Sequence, residues 1–201
     1  MSNNLNLVIY KMKRIVIFAS GSGTNAENLI KYFQDGEDIS VIKVLSNNPQ
    51  AKVLERANNL NVETLTFNKS DFIQTDDVLN TLKACNPDLI VLAGFLWKFP
   101  EKILNAFPNK VINIHPALLP KYGGKGMYGK YVHEAVVHNK ESESGITIHF
   151  VNENYDEGAI IFQAKCKVEK SDNAEDVANK IHRLEMEHFP KVVKSLLISN
   201  E

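Results

Sequence analysis

The chain has 201 residues, enough for one domain or at most two small ones, and its 44% apolar and 23% charged residues exclude a disordered chain, a coiled coil or a fibre. Lys+Arg 23 against Asp+Glu 24 leaves a net charge of -1, so no global positive field exists to hold a nucleic-acid backbone. The longest strongly apolar run, Leu89 to Trp97, is nine residues, whereas a membrane span needs about 20, and the N-terminus lacks the basic start and apolar core of a secretory signal.

The first twelve residues carry little pattern. Met12 opens Met-Lys-Arg directly before an apolar run, so residues 1–12 are expected to be a disordered extension and residues 13–201 a single domain. Ile15 to Phe18 is a continuous apolar run, as in a strand buried on both faces. Gly21-Ser22-Gly23 breaks it, and Thr24 or Asn25 is placed to cap a helix carrying Ala26, Leu29, Ile30 and Phe33 on one side. A strand at Ile39 to Leu45, a short helix at Ala51 to Asn59 and a strand at Val62 to Phe67 follow. Next come a helix at Asp76 to Ala84, a strand at Asp88 to Ala93, a short helix at Pro100 to Ala106 and a strand at Val111 to Ile114. This alternation predicts a parallel α/β sheet with right-handed crossovers.

The rhythm changes after His115. Residues 116–130 hold four of the ten glycines and read as a loop, followed by a helix near Tyr131 to His138. Gly145 to Val151 and Ala159 to Val168 form an antiparallel hairpin. A long amphipathic helix closes the chain, with Asp172 and Glu175 as a capping box and Pro190 as a kink. Cys85 and Cys166 match no metal or redox spacing and read as buried thiols of a reducing compartment.

Three constellations carry chemistry. Ser20-Gly21-Ser22-Gly23-Thr24-Asn25 lies between a buried strand and a helix, where close backbone approach and helix-start N–H groups favour an anion. Ala26 stands where a dinucleotide fingerprint has its third glycine, and the second strand ends in Ser46-Asn47-Asn48 without an acidic residue for a ribose. A single phosphate therefore fits better than a dinucleotide, and a plain βα turn is the alternative. In Asn113-Ile114-His115-Pro116, strand alternation puts an amide and an imidazole on one face at a carboxyl end. The amide N–H₂ suits an oxyanion and the imidazole a proton transfer; a satisfied polar pair is the alternative. Asp156, at the tip of the hairpin, is expected to orient His115 and raise its pKa, unless it is only an exposed turn residue. His133 with His138 and His182 with His188 lack the helical spacing of a zinc pair, so no metal is expected. His149 shares a strand face with Thr147 and either lines the cleft or sits in the core.

From Lys13 to Val193 these motifs, together with Leu92-Ala93-Gly94-Phe95, His115-Pro116-Ala117-Leu118-Leu119-Pro120 and Asp156-Glu157-Gly158, resemble the phosphoribosylglycinamide formyltransferases. These are folate-dependent transferases of purine (IMP) biosynthesis. The resemblance implies a Rossmann-like, mostly parallel twisted sheet with flanking helices, a C-terminal antiparallel hairpin and a long helix. It implies 10-formyltetrahydrofolate as cosubstrate, Asn113 as oxyanion stabiliser, His115 as general acid and Asp156 as its partner. Gly21, Gly23, Thr24 and Asn25 would bind the substrate phosphate, and Glu187 would contact the glycinamide substrate. Leu96, Trp97, Lys98 and Phe99, with Asn152, Glu153, Asn154 and Tyr155, would line the folate pocket, largely through backbone groups. Many members carry an arginine where this chain has Leu96-Trp97-Lys98-Phe99; the loop Lys121 to Lys130 is longer and richer in glycine; and Lys69 is the nearest cation for a folate glutamate tail. Small-molecule substrates, no nucleic-acid or membrane partner, a monomer or homodimer, and a cytoplasmic location are expected. A formyltetrahydrofolate deformylase would use the same residues with water as nucleophile. The deformylases add an N-terminal domain, and the methionyl-tRNA formyltransferases a C-terminal one, for which this chain is short. A non-catalytic phosphate- or nucleotide-binding module is the reading from another class.

Overall fold

The computed structural model describes residues 11–198, so the expectation for residues 1–12 falls outside it except at Lys11 and Met12, which lead into the first strand. The strands are β1 (Lys13–Phe18), β2 (Ile39–Ser46), β3 (Glu63–Thr66), β4 (Leu89–Leu92), β5 (Val111–His115), β6 (Glu143–Phe150) and β7 (Ile160–Lys167). The helices are α1 (Thr24–Phe33), α2 (Lys52–Asn59), α3 (Asp77–Cys85), α4 (Glu101–Ala106), α5 (Lys130–His138) and α6 (Ala174–Ile198). They build one seven-stranded sheet in the order β3-β2-β1-β4-β5-β6-β7. β1 to β5 are parallel; β5, β6 and β7 are antiparallel. The predicted alternation and the C-terminal hairpin are both present.

The apolar runs follow from burial on both faces. Along β1, Ile15 and Ile17 enter one apolar layer with α1, α2, α5 and α6, while Val16 and Phe18 enter the other with α3 and α4. The strand order reverses direction at β1 and β4. Crossovers diverge there, leaving a crevice at the carboxyl ends where such sheets bind ligands. Ser20 braces that crevice: its N–H donates to Gly94 O (3.1 Å), and its Oγ accepts from Leu96 N (3.0 Å) and donates to Asn47 Oδ1 (2.7 Å). The Ser46-Asn47-Asn48 strand end therefore supports the loop.

Local details correct the sequence reading. Neither Thr24 nor Asn25 caps α1; Gly23, at φ 75°, turns the chain directly into the helix, and Thr24 is its first residue. A Cβ at Gly23 would stand 2.4 Å from Val53, so both the turn and the α1–α2 approach require glycine. The box on α6 is one residue later than expected: Asn173 Oδ1 accepts from the N–H groups of Glu175 and Asp176, and Asp176 Oδ2 accepts from Asn173 N. Asp172 lies outside the helix, where it accepts from Glu169 N and pairs with Lys180. The helix continues through Pro190 to Ile198. Proline has no N–H for Met186 O, and Asn28 Nδ2 supplies that bond at 2.9 Å. A π-helical turn at Ser70–Gln74, within a polar stretch, gave no periodic signal. Cys85 is buried, but Cys166 is only half-buried.

Candidate active site

A cavity of about 670 Å³ opens at the crevice. Three strand ends, the helices α1, α5 and α6, and the loops 124–129 and 155–156 build it. β1 delivers Gly21, Gly23, Thr24 and Asn25, all of which line it. β4 delivers Gly94, Phe95 and Leu96; β5 delivers Asn113 and His115. The first-turn N–H groups of α1 have no partner within their own helix and carry its positive dipole end.

Asn113, His115 and Asp156 converge, as the motif reading expected. His115 is 3% exposed. Its Nδ1 lies 3.6 Å from Asp156 Oδ2, and its Nε2 contacts the Tyr122 carbonyl at 2.7 Å. Since a carbonyl only accepts, Nε2 carries the proton in the neutral ring. Asn113 Nδ2 lies 3.1 Å from His149 Nε2 and 3.4 Å from Asp156 Oδ1. Asp156 Oδ2 also accepts from Gly124 N at 2.9 Å. Asp156 sits at φ 57°, and at Gly158 a Cβ would stand 1.7 Å from Phe150 O. Only glycine lets the chain turn back into β7 so soon after the carboxylate.

Electrostatics corrects one expectation. Burial pushes the His115 pKa below its ordinary value, and the Asp156 charge only partly offsets this. Burial also works against charge on Asp156, but the facing His149 and His115 rings and the Gly124 N–H outweigh it, holding its pKa below the usual carboxylate range. The free site therefore holds a carboxylate beside a neutral imidazole.

The substrate-binding assignments divide. Glu187 is exposed, pairs with Lys191 (3.4 Å), and does not line the cavity. Glu185, two residues earlier and 200° around the helix at 100° per residue, does, and it accepts from Asn25 Nδ2 at 3.0 Å. His182 lines the same end, and Glu185 raises its pKa. His133 also lines it and is pushed toward neutrality by burial. The reading of the sequence missed these three, although Ala178, Ile181, His182 and Glu185 form one helical stripe.

Of the residues expected around the folate, Leu96 and Tyr155 line the cavity; Trp97, Lys98, Phe99, Asn152, Glu153 and Asn154 do not. Phe99 is a core residue, its ring 5.2 Å from Phe18, and Trp97 packs on Phe67, Phe72 and Phe95. Those aromatic rings give more burial than the crevice offers. Asn152 closes its own turn by accepting from Asn154 N. Lys69 is exposed, next to the π-helical turn. Among the described residues, no group of three or more His, Cys, Asp or Glu side chains converges as metal ligands would, and no helix is long and apolar enough to cross a membrane.

This sheet, with an amide, an imidazole and a carboxylate at its carboxyl edge, matches the formyl transferase family model over residues 13–193, and the chain belongs to that family. Among the relatives it resembles over nearly its whole length are phosphoribosylglycinamide formyltransferases. It is 34% identical to the one from Bacillus subtilis, covering 92% of this chain and 95% of that protein. It is equally identical to the chloroplastic one from Arabidopsis thaliana, where the match spans 66% of the longer plant protein. Among solved structures, the phosphoribosylglycinamide formyltransferase of Bacillus halodurans superposes with a TM-score of 0.85 at 32% identity, covering 94% of this chain and 97% of that one. Glycinamide ribonucleotide transformylase 1 of Geobacillus kaustophilus gives 0.85 at 33%, covering 93% and 100%.

Proposed function

We propose that this enzyme transfers the formyl group of 10-formyltetrahydrofolate to the amine of 5-phosphoribosylglycinamide, a step of purine biosynthesis. The observation that carries the reading is the meeting of Asn113, His115 and Asp156 in one cavity that the glycine loop also lines. The loop and the start of α1 receive the phosphate, with His182, whose pKa Glu185 raises, lining the same cavity. Glu185, rather than Glu187, faces the substrate between phosphate and reaction centre. The formyl donor enters between Leu96 and Tyr155.

The amine lone pair attacks the formyl carbon, and the carbonyl π electrons move onto oxygen. The Asn113 N–H₂ donates to this oxyanion. Negative charge building beside His115 favours its protonated form, so an imidazole that is neutral in the free protein takes up the proton the amine releases, is stabilised by Asp156 beside Nδ1, and returns that proton to N10 on collapse. Collapse breaks the carbon–N10 bond. The amine loses one proton and N10 gains one, so the overall reaction is proton-neutral. The His149 and His115 rings, with the Gly124 N–H at 2.9 Å, favour the ionised form of Asp156.

The test is a steady-state assay of tetrahydrofolate release from 10-formyltetrahydrofolate, with and without 5-phosphoribosylglycinamide. Release that requires the ribonucleotide and yields formylated product supports the transferase. Equal release without it supports a deformylase. No release from folded protein supports a binding module. In the active protein, His115→Ala and Asp156→Asn reduce turnover strongly while leaving the fold intact.

A further inference from the structure

His149 is a buried histidine that the reaction as described leaves unused. It is 2% exposed and does not line the cavity, yet it touches two of the three residues that do the chemistry. The sheet puts it there: His149 on β6 is the direct cross-strand partner of Asn113 on β5. Its Nδ1 lies 2.8 Å from Phe150 O, and its Nε2 lies 3.1 Å from Asn113 Nδ2.

These two contacts fix the ring's proton. Phe150 O only accepts, so Nδ1 carries the hydrogen. The Asn113 N–H₂ only donates, so Nε2 is bare. A bare Nε2 then selects between the two ends of the Asn113 amide, which differ little in shape but have opposite polarity. Asp156 Oδ1, 3.4 Å from the same Nδ2, selects the same end. Rotated by 180°, the amide would aim its carbonyl at Asp156 and at the place where the oxyanion forms. A doubly protonated His149 would direct Nε2–H at Asp156 Oδ1, 3.6 Å away, and would set donor against donor at Asn113.

We propose that His149 is a positioning residue: its unprotonated Nε2 holds the Asn113 amide with the N–H₂ end toward the reaction centre. During the reaction Asp156 is engaged by charged His115, which weakens its hold on Asn113; His149 then keeps the amide aligned. This rests on the formyl-transfer reading for its kinetic consequence, while the proton placement stands on geometry alone.

The two are tested separately. ¹⁵N NMR of histidine-labelled wild-type protein, with His149 assigned by the loss of its signals in His149→Gln, reads the tautomer without any assay. An Nδ1–H ring with a bare Nε2 near neutral pH is expected; a protonated Nε2 overturns the proposal. Kinetically, His149→Leu is expected to lower kcat by about 10-fold or more, with both KM values within about threefold, because alignment rather than binding is lost. His149→Gln, whose amide oxygen can accept from Asn113, recovers most of that loss. In an Asn113→Ala background His149→Leu has no further effect, since nothing remains to align. Wild-type-like turnover of His149→Leu, or the same loss in the Asn113→Ala background, refutes the role. Should His149→Leu not fold, the tautomer measurement decides. A wild-type protein that transfers no formyl group defeats the reading of the activity and leaves the tautomer result standing.

Discussion

Pro190 inside α6 creates a defect whose repair can be measured. At position 190 no N–H exists, so Met186 O lacks its usual bond four residues on, and Asn28 Nδ2 from α1 supplies the replacement at 2.9 Å. Asn28→Ala removes that donor. A hydrogen bond of this kind contributes about 0.5–1.5 kcal/mol, and a buried acceptor left alone costs about 1–3 kcal/mol. The contact is only partly buried, so water recovers part of the loss and about 1–2 kcal/mol is expected. At roughly 2–4 °C per kcal/mol for a domain of this size, the Tm falls by about 2–8 °C. The decisive comparison is the same substitution in Pro190→Ala, where an N–H at position 190 is available to Met186 O. Asn28→Ala then costs about 1 kcal/mol less, measured by urea unfolding of all four proteins. Equal costs in the two backgrounds would show that Asn28 does not serve the carbonyl that proline abandons.

Glu185→Gln should raise KM for 5-phosphoribosylglycinamide by about 10-fold or more, a loss of roughly 1.4 kcal/mol, whereas Glu187→Gln stays near wild type; the reverse order in steady-state kinetics would restore the assignment to Glu187. Gly23→Ala confronts Val53 at 2.4 Å and a φ of 75°, so either a destabilisation of about 2 kcal/mol or more or loss of phosphate-dependent binding is expected by thermal melts and calorimetric titration. For pH, His115 and His133 both have folded pKa values below the ordinary histidine value, with burial the largest cause. The unfolded chain therefore binds more protons as pH falls through 6.5, and stability drops on the acid side. His133→Gln should flatten the part of that fall due to its ring, measured as unfolding free energy between pH 7.5 and 5; an unchanged slope would refute it. His182, raised by Glu185, works the other way, its contribution being complete at low pH and lost as pH rises through its folded value.

Local pattern located the chemistry wherever the local pattern was itself the cause. Alternation along Val111 to His115 put Asn113 and His115 on one face, and the structure keeps them there because Ile112 and Ile114 fill the core behind. The glycine loop was legible because a buried strand meets a helix through residues that only glycine suits at position 23. The folate residues were less so: Leu96 and Tyr155 reach the cavity, but Trp97 and Phe99 found greater burial among Phe18, Phe67 and Phe72, aromatic neighbours that arrive from distant strands and turns. Glu185 and Glu187 differ by two positions, and two steps of a helix reverse which side faces α1, so a motif without the helix phase selected a carboxylate that does not line the cavity.

By itself the sequence determined the α/β order, the strand that carries the amide and imidazole, and the residue types at the anion loop, because these depend on local periodicity and backbone freedom. Only the tertiary structure decided that β6 returns antiparallel beside β5. That pairing brings His149 against Asn113, swings Asp156 under His115, and buries the imidazole deeply enough that desolvation outweighs its carboxylate partner. Those outcomes depend on distances between residues 36 and 41 positions apart in the chain, and on the dielectric that the whole fold creates around them.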